Sequence, residues 1–430
     1  MRKYLIISLL ASYSIVFAGE SEDFKAVDNL YKERNFKTAL TESEKFLQKY
    51  PESKHQKSMR DKVAKIYFLE KNYKKAEELF KKLFTMEEKQ SQKEEYASYL
   101  ARANALLNNS NSAMFYLREI KDEKTFQKTF FAVAQDFLAK ENNEAAKKAY
   151  TEIINNKYEN YKESMMGLGI VYYNLKDYDK AIYWLSEFSK AMPNENKEMV
   201  SYLRASAIYR KGSTDEAIKY FEELANMTPA SEYSRKAALY LIEIYSNRKD
   251  EAKVRFYLEK LKGTKEYNTA MTMIGDLYVT KENYEKALDY YNQSNDKNNP
   301  KLIYGEAYSL YKKGKYEEAL KKFQSLKNSD YYNQSIYHIF AINYKLKNFD
   351  EIIRNREIIR KVVVSQVDTD NIIRIIANSA YQVGNYKLAK DYYGRLFAVS
   401  PDKENLFRVI LLDSQMLDME DLRIRFNQYN

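Results

Sequence analysis

Along residues 73–84 the apolar positions Tyr73, Ala76, Phe80, Leu83 and Phe84 share one face of a 3.6-residue period, while lysines and glutamates take the other. That spacing predicts an amphipathic helix with one face buried. It opens on a short pattern that recurs along the chain: an aromatic residue, two polar residues, an alanine, then an apolar residue four positions on. Phe36 leads Ala39, Tyr73 leads Ala76, Tyr178 leads Ala181, Tyr284 leads Ala287, Tyr316 leads Ala319 and Tyr386 leads Ala389. Weaker copies place Ala113, Ala146, Ala217 and Ala252 at the alanine position, and Phe349 leads Ile352. Successive alanine positions are 32 to 37 residues apart over eleven copies, and a truncated twelfth puts Leu422 there. A sustained period near 35 is the signature of a repeat architecture.

Other residues keep the same phase. Pro51, Pro193, Pro229 and Pro401 each lie 12 residues after an alanine position and Pro300 lies 13 after one, so all five are expected where a helix stops. Twelve residues upstream of the alanine position stand Ala64, Ala101, Ala134, Gly169, Ala205, Gly275, Ala307 and Ala377, small enough for two helix backbones to approach closely. Gly212, Gly314 and Gly384 lie five residues before it, which suits a left-handed residue ending a first helix.

This layout resembles the tetratricopeptide repeat, most specifically over Gly169 to Pro193 and Ala377 to Pro401. The resemblance implies an all-α solenoid of about twelve helix–turn–helix repeats wound into a superhelix, each stabilised by its neighbours. After a leader at 1–18, it divides the chain into a repeat array over 19–401 and a truncated repeat with capping helices over 402–430. Several copies depart from the pattern: Ser110, Asn143, Thr214 and Lys249 stand where the aromatic belongs. Breaks in regularity are expected around Thr85 to Glu95 and Arg360 to Asn371.

Composition narrows the functional classes. With 10 Gly and 5 Pro in 430 residues there are few turn formers, which opposes an all-β fold. Without Cys there is no disulfide framework, thiolate metal site or thiol nucleophile. Arg2 and Lys3, an apolar run from Leu5 to Phe17, and Ala18 predict a secretory signal peptide cleaved before Gly19. The run is shorter than the ~20 residues of a permanent span, and no cysteine follows it to carry a lipid. An exported, periplasmic or otherwise envelope-associated mature chain is therefore expected. The net charge of +10 is spread among interleaved acids and bases, as expected of solvated helix faces and not of a nucleic-acid-binding stripe.

No catalytic constellation emerges. The two histidines, His55 and His338, are far apart, the first expected in a solvated turn and the second in a first helix. Gly167-Leu168-Gly169 lacks the third glycine and preceding strand of a dinucleotide site, and reads as helix packing. The feature with binding potential is a tyrosine ladder. Tyr173, Tyr209, Tyr311, Tyr344 and Tyr381 occupy one position near the end of their first helices, and Tyr202, Tyr304 and Tyr337 lie seven residues earlier on a similar face. The resemblance implies that first helices line a concave groove, and tyrosine offers a large ring with a wet hydroxyl for recognition. The same rings could instead be packing residues. The expectation is a non-catalytic scaffold without cofactor or metal, binding protein or peptide partners in cell-envelope assembly or maintenance. Two alternatives stand beside it: peptidoglycan binding through the same tyrosines, and an enzyme with an unrecognised carboxylate site.

Overall fold

The computed structural model describes residues 19–228, 230–399, 401–416 and 419–429, at 419, 420, 422 and 429 the backbone alone. The leader at 1–18, Pro229 and the side chain of Leu422 lie outside the described residues. Among those described, 24 α-helices, one 3-10 helix and no strand are found. The chain divides into two compact units, up to Tyr220 and from Phe221. The first holds α1 (Glu20–Lys32), α2 (Phe36–Lys49), α3 (Gln56–Leu69), α4 (Tyr73–Met86), α5 (Gln90–Leu106), α6 (Ser110–Arg118), α7 (Glu123–Ala139), α8 (Asn143–Asn155), α9 (Tyr161–Asn174), α10 (Tyr178–Ala191) and α11 (Lys197–Arg210). The boundary falls inside α12 (Thr214–Ala225). The second unit continues with α13 (Glu232–Asn247), α14 (Glu251–Leu261), α15 (Lys265–Thr280), α16 (Tyr284–Gln293), α17 (Pro300–Lys312) and α18 (Tyr316–Ser325). It ends with α19 (Tyr332–Lys345), α20 (Phe349–Arg354), α21 (Gln366–Gln382), α22 (Tyr386–Val399), α23 (Lys403–Gln415) and α24 (Met419–Tyr429).

Consecutive helices pair into hairpins, and one turn geometry joins nearly all of them. In eleven hairpins a residue in the left-handed region ends the first helix, five positions before the alanine position. Gly212, Gly314 and Gly384 hold it as expected, but Arg34, Lys71, Asn108, Glu141, Lys176, Lys249, Glu282 and Lys347 adopt it as well. The next residue caps the second helix. Asn72, Asn109, Asn142, Asp177, Asp250, Asn283 and Asn385 accept a hydrogen bond from a backbone N–H of the first turn. An Asn or Asp four residues before the alanine was thus a sequence signal as regular as the aromatic.

That cap corrects one assignment. Asp250 caps α14, so the alanine position there is Val254, which is buried, whereas Ala252 is exposed. Glu251 rather than Lys249 then stands where the aromatic belongs. Pro51, Pro193 and Pro401 follow second helices, but Pro300 opens α17 at its first position, where its missing N–H costs nothing. Between α4 and α5 there is an ordinary short turn and no break. The second expected break is real: α20 has six residues and gives way to a 3-10 helix, Arg356–Arg360, and an extended stretch. His55 is half-buried and stacks on Phe24 with ring centroids 4.1 Å apart, not a solvated turn residue.

The core is built where the small positions meet. Ala76, Ala113, Ala146, Ala181, Ala287, Ala319 and Ala389 are fully buried, and a large residue four positions on, such as Phe80, Tyr150, Tyr291 or Phe323, fills the space between hairpins. Gly167 lies under the Tyr150 ring and Gly169 against Leu185, so the glycine pair in α9 serves packing. No helix among the described residues is long and apolar enough to cross a membrane.

Candidate functional site

Within each unit the first helices pack on one another: α5 on α7, α7 on α9 and α9 on α11; then α13 on α15, α15 on α17 and α19 on α21. Among the described residues no such packing of successive second helices is found, so the first-helix side is the inner side of each unit. Ion pairs tie the inner helices together. Arg102 grips Asp136 through two bonds of 2.8 and 3.2 Å, Arg235 reaches Glu266 at 3.1 Å, and Lys301 reaches Asp276 at 2.8 Å. Burial pushes the Asp136 carboxyl up while Arg102 draws it back. The buried carboxylates of Glu94 and Glu306 are likewise occupied, by the N–H groups of Lys121 and Asp122 and by Lys322. These pairs are structural ties, and among the described residues no group of three or more metal-ligating side chains is clustered.

The eight ladder tyrosines divide between the units: Tyr173, Tyr202 and Tyr209 in the first, Tyr304, Tyr311, Tyr337, Tyr344 and Tyr381 in the second. All eight are half-buried. The ladder position meets the aromatic that opens the second helix: Tyr173 on Tyr178, Tyr311 on Tyr316, Tyr344 on Phe349 and Tyr381 on Tyr386, with centroids 5.6 to 6.0 Å apart. One side of each ring is thus spent on the hairpin, and part of the ring remains accessible. Tyr381 also accepts a hydrogen bond from Gln415.

The densest part of the ladder lies on α17 and α19. Tyr304, Tyr308 and Tyr311 occupy one face of α17, four and three residues apart, and all three rings approach His338 of α19 with centroids 5.3 to 6.2 Å away. Phe323 stacks on the imidazole at 5.0 Å, and Tyr337 flanks it at 5.3 Å. Burial among these rings holds the His338 pKa down at about 4, outweighing the opposing pull of Asp368, so the imidazole is neutral near pH 7. Its Nδ1 is buried without a hydrogen-bond partner. Burial also raises the Tyr304 and Tyr311 hydroxyls above the ordinary tyrosine range. The cluster therefore presents neutral rings and hydroxyls. Sequence reading placed Tyr304, Tyr311 and Tyr337 here but missed Tyr308, Phe323 and His338. The spacing of the three α17 tyrosines could have found Tyr308; the other two come from helices 15 and 30 residues away from it.

A tetratricopeptide repeat family model matches residues 143–328, and a second tetratricopeptide repeat model matches residues 62–90. No curated protein matches the sequence significantly. Among solved structures, the type IV pilus biogenesis factor PilW is similar at 14% identity, over 50% of this chain and 97% of its own, with a TM-score of 0.37. The human IFIT1 dimer is similar at 15% identity over 91% and 93% of the two chains, TM-score 0.35. A chain of the APC/C hetero-tetramer Cut9–Hcn1 is similar at 14% identity over 93% and 91%, TM-score 0.30.

Proposed function

The chain is a tetratricopeptide repeat protein, and from that premise we propose that it is an exported, non-catalytic scaffold holding segments of partner proteins against its tyrosine-lined first-helix faces. The observation that carries this reading is the state of the ladder: eight tyrosines at two repeated positions, all half-buried, of which Tyr173, Tyr311, Tyr344 and Tyr381 are anchored on one side by the aromatic of their own hairpin. A ring immobilised before binding loses little entropy on contact, which is how a preorganised aromatic contributes to recognition. The occupied buried carboxylates support a role without bond-breaking chemistry. The basic and apolar head ending at Ala18 supports action in the cell envelope, in assembly or maintenance.

Affinity capture from native envelopes, with the wild-type chain and Tyr311→Ala, Tyr344→Ala and Tyr381→Ala variants, tests this. Loss of the same captured proteins in each folded variant is expected. Folded variants that capture an unchanged set, or sedimentation of the chain with purified sacculi in place of protein capture, would overturn the reading.

A further inference from the structure

The ladder is interrupted in four of the eleven hairpins. Eight residues before the alanine position the first helix carries an aromatic in seven hairpins, as at Tyr311, Tyr344 and Tyr381, and Ala105, Leu138 or Val279 in three others. Once Val254 is recognised as the alanine position of α14, the corresponding residue of α13 is Ser246. The aromatic that would meet it is also missing, because Glu251 opens α14. Deeper in the same hairpin, Ile242 and Val254 stand at the positions where most hairpins have two small residues.

Beside Ser246 a cavity of about 390 Å³ lies between α13 and α15, the first helices of adjacent hairpins, with Ile242, Met273, Ile274 and Leu277 as its apolar floor and Ser246 in its wall. A second cavity of about 190 Å³ shares Ser246, Ile274 and Leu277 with it. The first volume is within the range of sites that enclose a small ligand. The Ser246 Oγ is buried and has no hydrogen-bond partner. Asn247 and Thr280, on the rim, are exposed, so the cavity is reached from solvent.

We propose that this cavity is a binding site for one tyrosine side chain presented by a partner segment. The guest ring packs against the apolar floor, and its hydroxyl meets that of Ser246. An apolar ring with one polar end suits a greasy cavity with a single unpartnered hydroxyl. Glu243 and Asp276 line the same cavity and disfavour an acidic guest. The inference rests on the scaffold reading and specifies what the scaffold recognises at this point.

The test uses the full chain and p-cresol, the tyrosine side chain as a free molecule, followed by ligand-observed NMR with toluene for comparison. Saturable binding of p-cresol to the wild type is expected. Ser246→Tyr fills the cavity from its own wall, so it should weaken p-cresol at least tenfold and raise the unfolding midpoint. Thr280→Trp, on the exposed rim, should weaken it similarly without entering the core. Ser246→Ala should keep toluene and lose the preference for p-cresol. A peptide with one central tyrosine should displace p-cresol, and the same peptide with a central lysine should not. Absence of saturable binding, undiminished binding by Ser246→Tyr and Thr280→Trp, or equal displacement by the lysine peptide would overturn the inference. None of these results bears on capture through Tyr311, Tyr344 and Tyr381, so the scaffold reading stands or falls separately.

Discussion

Gly305→Ala should destabilise the second unit although alanine is the better helix former. The buried ring of Tyr291, from α16, is wedged between a glycine on each side. A Cβ on Gly305 would lie 2.4 Å from the Tyr291 Oη and 2.6 Å from Cζ, and one on Gly275 would lie 2.4 Å from Cε1. The ring cannot retreat freely, because its hydroxyl donates to Asp276 at 2.7 Å and none of it is exposed. Overpacking of this kind costs about 1–3 kcal/mol, and a displaced hydroxyl forfeits a bond to a charged acceptor contributing about 1.5–3 kcal/mol. Alanine returns about 1 kcal/mol of helix propensity. The net expectation is a loss of about 1.5–5 kcal/mol. Hydrogen exchange across α15 to α18, with denaturant unfolding of the full chain, reads it. The control is Tyr291→Leu, which removes the ring at its own cost; in that background Gly305→Ala should become stabilising by about 1 kcal/mol. Stabilisation in the wild-type background, or the same effect in both, would refute the wedge. Gly167 beneath Tyr150 should behave alike, since its Cβ would lie 2.4 Å from that ring.

Three further outcomes are expected. The His338 pKa of about 4 lies below the histidine reference of 6.5, so the unfolded chain binds a proton that the folded chain refuses. Stability is therefore full above about pH 6.5 and falls as the pH drops toward 4, by about 3 kcal/mol from this group. The difference in stability between wild type and His338→Phe, followed by denaturant titration across that window, should show the slope; a pH-independent difference contradicts it. Lys176, held at a φ of 62°, should be improved by glycine by about 0.5–1 kcal/mol, whereas Lys176→Val should cost about 1–2 kcal/mol, both by chemical denaturation; a loss with glycine would count against left-handed strain. Protein recovered from the envelope fraction should begin at Gly19 by N-terminal sequencing, and an intact Met1 would contradict export with cleavage.

The repeat was legible in the sequence because its determinants are local. An alanine at a fixed distance from an aromatic, a glycine closing a first helix and an amphipathic stripe each act within one hairpin, and one hairpin's worth of residues displays them all. The same locality explains the one misplaced phase: around Lys249 to Val254 the aromatic and the alanine are both absent, and only the Asp250 cap keeps the register. What the tertiary structure alone decided are the relations between hairpins. The half-burial of the ladder tyrosines, the rings that close around His338, and the cavity beside Ser246 depend on side chains about 30 residues apart that stacking brings together. Periodicity states which residues face a neighbour, but how much of a ring that neighbour covers depends on the size of the residue opposite. That size varies from hairpin to hairpin without changing the pattern.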